Sequence, residues 1–502
     1  MGDVKKYYVG VDLGTSKSVL AYTDQDGYTA VQYIDNATVF PSVLTFTPRG
    51  IFAGQQALEI RNLDEKSQTV SNFKRMMGTD HRERILGNDY TVPELFAMIL
   101  TKLIRSFEEG KQARIEKLVI SVPADYGDAE REATFQVANL VGIKDVRLIN
   151  ESDAAAIAYC YDTQGFTGKI TVYDMGGSTF DVTVLNIDEN GFSVLANEGS
   201  KYLGGRDWDL HLASIIQRKI LESTNMDPED FDRNYDLRRR ILEEAERQKI
   251  IMDRVEYSTG SIEVDGVDIP FTVTRNELDA STIGLVEKTI SMTKSAFKIA
   301  GTPSYQMDRI VLVGAASITP LIRKTLEQAF PNIPVTRYDP MNAIARGASL
   351  YARSVFGDGD VKLTSVLNKT FGVKMGVDGQ EMICNILYRN VPLPLKRTVQ
   401  CRPKADDQKV LDIDIYENKA PPSVDHTPVT ESRFVNKFQI PLEGKISRGK
   451  TKININFSAE FDGTMSLEVE CNGVKTVCDL GKDIQIADDE FLQMAFKVRQ
   501  VQ

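Results

Sequence analysis

The chain has 502 residues, 60 basic and 71 acidic side chains and a formal net charge of −11, a balance that argues against nucleic acid or an anionic membrane as partner. With 42% hydrophobic and 26% charged residues it reads as an ordinary globular protein, and one this long is expected to divide into two to four domains. Five cysteines (Cys160, Cys384, Cys401, Cys471, Cys478) make no CxxC pair and the three histidines are scattered, so zinc chemistry is not expected and reduced thiols are. Cys471 and Cys478 lie close enough to face each other across a hairpin, but free thiols are the preferred reading. The first residues run from Met1 straight into a strand with no signal-peptide pattern, and no apolar run reaches membrane-spanning length. A soluble, cytoplasmic protein is expected.

In chain order, strands are predicted at 8–11, 117–122, 169–173, 181–187 and 309–313, and helices at 93–107, 128–140, 152–161, 207–222 and 236–252. Such alternation is the mark of an α/β fold. The text changes near Gly357-Asp358-Gly359-Asp360. Beyond it, residues 411–416, 452–457 and 465–470 alternate apolar and polar with period two, as half-buried antiparallel strands do. Asp462-Gly463 reads as a hairpin turn. The expected organisation is an α/β domain at 1–356, a linker at 357–368, an antiparallel β domain at 369–482 and a short amphipathic helical tail at 483–502. The tail is expected to pack on the β domain.

Two segments repeat one pattern: VGVDLGTSKSVL at 9–20 and VYDMGGSTFDVTVL at 172–185. Each is an apolar strand ending in Asp, a glycine turn with hydroxyls, and a second apolar strand. Glycines let backbone N–H groups approach phosphate oxygens, and such amides form an anion-binding nest. The Asp residues suit a hydrated Mg²⁺, which takes oxygen ligands and keeps its waters. Two copies point to paired subdomains that close on one polyphosphate.

The first segment resembles the nucleotide hairpin of the actin, sugar-kinase and 70-kDa heat-shock superfamily. The strings VISVPADYGDAEREAT (119–134), INESDAAAIAY (149–159), LGGRDWD (203–209), EAERQKI (244–250), VLVGAASITP (311–320), DPMNAIARGA (339–348) and ILYRNVPLP (386–394) are similar to the 70-kDa heat-shock chaperones specifically. The resemblance implies an actin-like ATPase domain of two lobes with duplicated hairpins, coupled to a β-sandwich that binds extended apolar peptides during protein folding and stress. It implies a slow ATPase with ATP/ADP and Mg²⁺ as cofactors, and a J-domain co-chaperone and a nucleotide exchange factor as partners. Asp12 and Asp181 would order the hydrated metal with Asp174 in support. Gly14, Thr15, Ser16, Gly176, Gly177, Ser178 and Thr179 would line the phosphates. Lys74 and Glu151 would serve hydrolysis. Gly204 and Gly205 would also contact the nucleotide, and Glu246, Lys249, Gly314, Ala315 and Ile318 would take the nucleoside end. Pro123, Arg131 and Glu151 match positions that couple nucleotide state to the second domain.

Plainer roles compete. Lys74 could be a solvated lysine, Glu151 a favourable acid at a helix N-terminus, Asp12 and Asp181 the caps of Asx turns, and Arg131 half of a surface salt bridge. The chain also departs from the family. Ser178 replaces a glycine, Ile318 stands where an arginine would stack on the purine, Ile250 takes a position that is arginine in some members, and Met341-Asn342 replace an acidic pair. ATP binding weaker than in typical members is therefore expected. Lys362, Thr364 and Ser365 interrupt the apolar linker, so docking is expected to bury less apolar area and coupling to be weak. About twenty residues follow 482, too few for a long helical lid. Val373, Met375, Met382 and Ile383 fall near the family's peptide-cradling loops or, equally, in the core. The leading reading is an ATP-dependent chaperone without a lid. The alternative is a weakly active or inactive nucleotide-gated module for one protein partner. A small-molecule kinase or a filament former leaves the β domain without a role.

Overall fold

The computed structural model describes residues 5–61, 66–164, 166–224, 226–377, 379–479 and 488–502. In chain order its principal elements are β1 (Tyr7–Leu13), β2 (Lys17–Asp24), α1 (Val92–Lys111), β3 (Lys117–Val122), α2 (Asp128–Leu140), β4 (Asp145–Asn150), α3 (Glu151–Asp162), β5 (Gly168–Met175), β6 (Phe180–Asp188), β7 (Gly191–Ser200), α4 (Gly205–Ser223), α5 (Tyr235–Met252), α6 (Arg275–Ile299), β8 (Arg309–Val313), β9 (Val335–Arg337), α7 (Ala343–Phe356) and β10 (Leu363–Thr364). There follow β11 (Thr370–Val377), β12 (Gln380–Leu387), β13 (Leu395–Cys401), β14 (Val410–Asn418), β15 (His426–Pro428), β16 (Arg433–Pro441), β17 (Ile453–Ala459), β18 (Met465–Cys471), β19 (Val474–Asp479) and α8 (Asp488–Arg499). The helix α6 was not anticipated. Three threonines on its buried face, Thr282, Thr289 and Thr293, break the apolar stripe, each turning its hydroxyl back onto a carbonyl of the preceding turn.

The chain divides into two compact units, one of residues 1–168, 183–197 and 342–502, the other of 169–182 and 198–341. In the first, β4, β3, β1 and β2 lie side by side, with β1–β3 and β3–β4 parallel and β1–β2 antiparallel. Their core takes Val9, Val11 and Leu20 from the hairpin, Leu118 and Ile120 from β3, and Leu95, Ile99, Leu103 and Phe107 from α1. The capping box that starts α1, Thr91 with Glu94, fixes its N-terminus. A face of small residues on α7 (Ala345, Gly347, Ala348, Ser349) lies on β1 and α3: a Cβ on Gly347 would strike the Ala154 carbonyl, and one on Gly10 of β1 would strike Ser349.

The β-rich segment belongs to this same unit. One sheet runs β15-β12-β11-β14-β16 and the other β13-β17-β18-β19. Phe371, Ile413, Ile415 and Phe438 from the first meet Ile455, Phe457, Leu467 and Val469 from the second in one core. Gly463, φ +78°, makes the expected turn between β17 and β18. All five cysteines are free.

Two expectations are corrected. The tail helix α8 packs on α1 and α2 of the α/β part, not on the β sheets. Met494, Ala495, Val498 and Val501 enter the α/β core. Lys497 pairs with buried Glu94 at 3.3 Å, Arg105 donates to the carbonyls of Val501 and Arg499, and the Gln502 amide donates to Ile51 O. The stripe is buried against α1, and patterning alone does not reveal which surface an amphipathic helix will meet. The linker is also docked well. Leu363–Thr364 forms β10, parallel to Phe192–Ser193 of β7, and Val366 and Leu367 are each 2% exposed. The polar residue that should have weakened docking, Ser365, is buried and hydrogen-bonded to Asp153 and Asn150.

In the second unit β5, β8 and β9 are parallel neighbours, with Asp174 opposite Val313 and Leu312 opposite Arg337. Tyr173 bonds Thr289 of α6 across its core at 2.7 Å. No helix among the described residues is long and apolar enough to cross a membrane, which says nothing of a β-barrel.

Candidate phosphate and nucleoside residues

In the first unit, the β1–β2 turn is braced from below. Ser42 donates its hydroxyl to Gly14 O at 2.8 Å, and its amide donates to Ser16 O at 2.9 Å. A Cβ on Gly14 would run into the Lys17 carbonyl, so the turn accepts no side chain there. Thr15 is buried. Asp12 accepts a bond from Ser121 of β3 at 3.2 Å.

Lys74 and Glu151 come from a 3₁₀ turn at Phe73–Met76 and the first residue of α3. Seventy-seven residues apart, they meet at 2.7 Å, each side chain 7% exposed. Lys74 is therefore not a solvated lysine. Burial opposes its charge, but Glu151, Tyr126 and Asp12 together hold its pKa above the ordinary lysine value. Asp12 is pushed up to about 7 by burial and by the charge of Glu151, against the pull of Lys74 and Ser121. Two carboxylates thus share one lysine, and the cluster has room in its charge balance for a further cation. Among the described residues no group of three or more His, Cys, Asp or Glu side chains could enclose a metal directly. An ion here would keep most of its waters, as Mg²⁺ does.

The same first turn of α3 also faces the linker and the β sheets. Arg131 of α2 is buried, not a surface ion-pair member; it donates to Asn150 Oδ1 at 2.8 Å and to Asp462 O in the β17–β18 turn at 2.9 Å. Asn150 in turn bonds Asp153, and Asn368 of the linker bonds Asn150. Asp125 takes Lys369 and Lys419, Glu130 takes Arg433 at 2.6 Å, and Arg389 caps Asn197 O. Burial raises Asp128 to about 7 and Asp153 to about 6, and raises Glu417; Glu417 adds its charge to Asp128, and Glu130 adds its own to Glu417. Sequence reasoning missed Asn150, Asp128, Glu417 and Arg433, since nothing local marks a polar residue as an interface contact.

In the second unit, the β5–β6 turn is closed by Gly176 N to Thr179 O at 3.0 Å. The amides of Gly205 and Arg206, at the start of α4, donate to the carbonyls of Gly176 and Gly177. Gly204 lies so close that a Cβ would stand 2.6 Å from the Ser178 backbone. Ser178, Thr179, Asp174 and Asp181 are buried. Lys249 pairs with Asp209 and donates to Gly205 O at 3.1 Å. Burial raises Asp209 to about 6 against the pull of Lys249. Gly314, φ +78°, turns the chain after β8 where a side chain would strike Asp174. Ala315–Ile318 form a 3₁₀ turn, and Glu246 and Ile250 lie exposed on α5.

Each unit thus carries a glycine turn with buried carboxylates, and the first carries in addition an attached β module. The sequence profile of the Hsp70 protein family matches residues 8–495, and the chain belongs to that family. The chaperone protein DnaK of Thermosipho africanus is 30% identical over 486 residues, a span of 94% of this chain and 79% of that protein. The DnaK proteins of Thermotoga petrophila and Thermotoga maritima are each 32% identical over 493 residues, with the same coverage.

Proposed function

We propose that the protein is an ATP-dependent chaperone that hydrolyses ATP slowly and uses nucleotide state to control the binding of extended apolar peptides by its β sheets. The observation that carries this is the position of the buried Lys74–Glu151 pair. It sits on the first turn of α3, whose neighbours Asn150 and Asp153 hold Arg131 and the linker. A change at Glu151 is one peptide bond from Asn150, which holds both the linker and Arg131, the residue that reaches the β module.

Phosphoryl transfer asks the protein mainly for positioning and charge. Lys74, held by Glu151, presents a fixed ammonium to phosphate oxygens, and Glu151 is placed to orient a water and accept its proton. Gly14 to Ser16 and Gly176 to Thr179 offer amides and hydroxyls to phosphate. Asp12 and Asp181 suit a hydrated Mg²⁺, which when bound supplies positive charge to the phosphates. The β module offers Met375, 40% exposed, and the partly exposed Met382 to a peptide, while Val373 and Ile383 are core. Because α8 is packed on the α/β part, it does not cover a bound peptide, and this helix does not slow peptide exchange. A J-domain protein and an exchange factor are the partners this cycle calls for.

The second reading, a nucleotide-gated module with little hydrolysis, is favoured by the apolar Ile250 and Ile318 at the nucleoside end. Steady-state ATPase with and without peptide separates the two, run beside Lys74→Ala and Thr179→Ala. Peptide-stimulated turnover lost in both variants supports the chaperone cycle, and turnover absent from the wild type supports the module. Fluorescence anisotropy tests the peptide arm, since a slow peptide off-rate contradicts it.

A further inference from the structure

We propose that Arg337 supplies the guanidinium that Ile318 lacks, and that its plane stacks on the purine of the bound nucleotide. This rests on the ATP reading above and concerns only the base end. The family resemblance implies an arginine at position 318, where this chain has Ile. The fold returns one from a strand 19 residues further on.

The parallel register sets the place. β5, β8 and β9 end side by side, with Asp174 opposite Val313 and Leu312 opposite Arg337. Ligands of open parallel sheets gather beyond the carboxyl ends of the strands, and Arg337 is the last residue of β9. Its Nη2 donates to Ile318 O at 2.8 Å, which fixes the head of an otherwise exposed side chain against the 3₁₀ turn. Across from that turn, α5 and its C-cap residue Asp253 present Glu246, Lys249, Ile250 and Asp253 at i, i+3, i+4 and i+7, one helical face. Asp253 is hydrogen-bonded to Thr319; burial raises its pKa, and Lys249 and Arg337 oppose the rise. A Cβ placed on Gly205 would stand 3.2 Å from the Ala316 side chain and 3.4 Å from Lys249 Nζ. Apolar Ile318, a held guanidinium and a row of polar groups therefore border the same edge of the sheet.

A guanidinium stacks because it is planar and weakly hydrated, which an ammonium is not. An arginine that only capped the Ile318 carbonyl would be indifferent to the base. Calorimetric titration of the full chain with Mg·ATP and with inorganic tripolyphosphate tells these apart. Arg337→Ala and Arg337→Lys should both weaken ATP by about 3- to 30-fold, while tripolyphosphate affinity stays within about twofold in Arg337→Lys, which keeps the charge. Unchanged ATP affinity in Arg337→Ala overturns the proposal, as does equal weakening of ATP and tripolyphosphate in Arg337→Lys. Wild-type protein that binds tripolyphosphate as tightly as ATP overturns the base contact and leaves the phosphate reading standing. Wild-type protein that binds neither ligand ends the ATP reading, and this inference with it.

Discussion

The α8 helix gives the most exposed test of how this structure holds together. Met494 is 5% and Val498 1% exposed, and both sit in the core shared with α1. Truncating Met494 to Ala costs about 2–5 kcal/mol for a well-packed site. Val498→Ala removes two buried methyl-sized groups at about 0.8 kcal/mol each. Together they lower the free energy that keeps α8 docked by roughly 4–6 kcal/mol, allowing for incomplete additivity between neighbours. At about 1.4 kcal/mol per tenfold, amides across 488–502 should exchange about a thousandfold to ten-thousandfold faster, up to the limit of the unprotected rate. Hydrogen exchange read by mass spectrometry on peptides from this region measures it. Leu492→Ala is the control, since Leu492 is 63% exposed on the opposite face and a surface change stays within about 0.5 kcal/mol. Exchange that is unchanged in the Met494→Ala/Val498→Ala variant, or equally accelerated by Leu492→Ala, would refute the docking of α8 on α1.

Removing Lys74 strands Glu151 beside Asp12, so Lys74→Ala should lower stability by about 3–5 kcal/mol without nucleotide. Adding Glu151→Gln should recover part of it in chemical denaturation. Arg131→Ala leaves Asn150 Oδ1 and Asp462 O without their shared donor; peptide should then no longer stimulate ATPase, while unstimulated turnover persists. The interface is also sensitive to pH. Burial and the charge of Glu417 raise the Asp128 carboxyl well above the usual carboxylate range, to about 7 in the docked protein. The docked form therefore binds the proton more tightly, so docking is favoured by acid and loses that contribution as pH rises from about 4 to about 7. Fluorescence energy transfer between a label on the β module and one on the α/β part should report firmer docking at pH 6 than at pH 8, and Asp128→Asn should flatten the difference.

Much of this was legible in the order of residues. Strands at 117–122 and 309–313 and the helix at 128–140 have the bounds that periodicity assigned, because apolar spacing and caps are local. The doubled Asp–glycine–hydroxyl turns were legible for the same reason: a tight turn such as that at Gly14, where a Cβ would strike the Lys17 carbonyl, needs glycine at a fixed place. Strand alternation after residue 369 likewise marked the β sheets, whose inward positions fill one core. The roles expected of Lys74 and Glu151 came from family resemblance, and that the two side chains pair came only from the fold. What the sequence could not decide were choices among distant surfaces. An amphipathic tail must bury its stripe, but only the folded α1 face shows which groove is available. Ser365 reads as a defect in the linker until Asp153 and Asn150 are placed beside it to satisfy its hydroxyl. Arg337 reads as an ordinary strand end until parallel pairing with β8 carries it to Ile318. Local pattern determines which elements form. Which buried donor meets which acceptor depends on the whole chain having folded, since those partners lie tens to hundreds of residues apart.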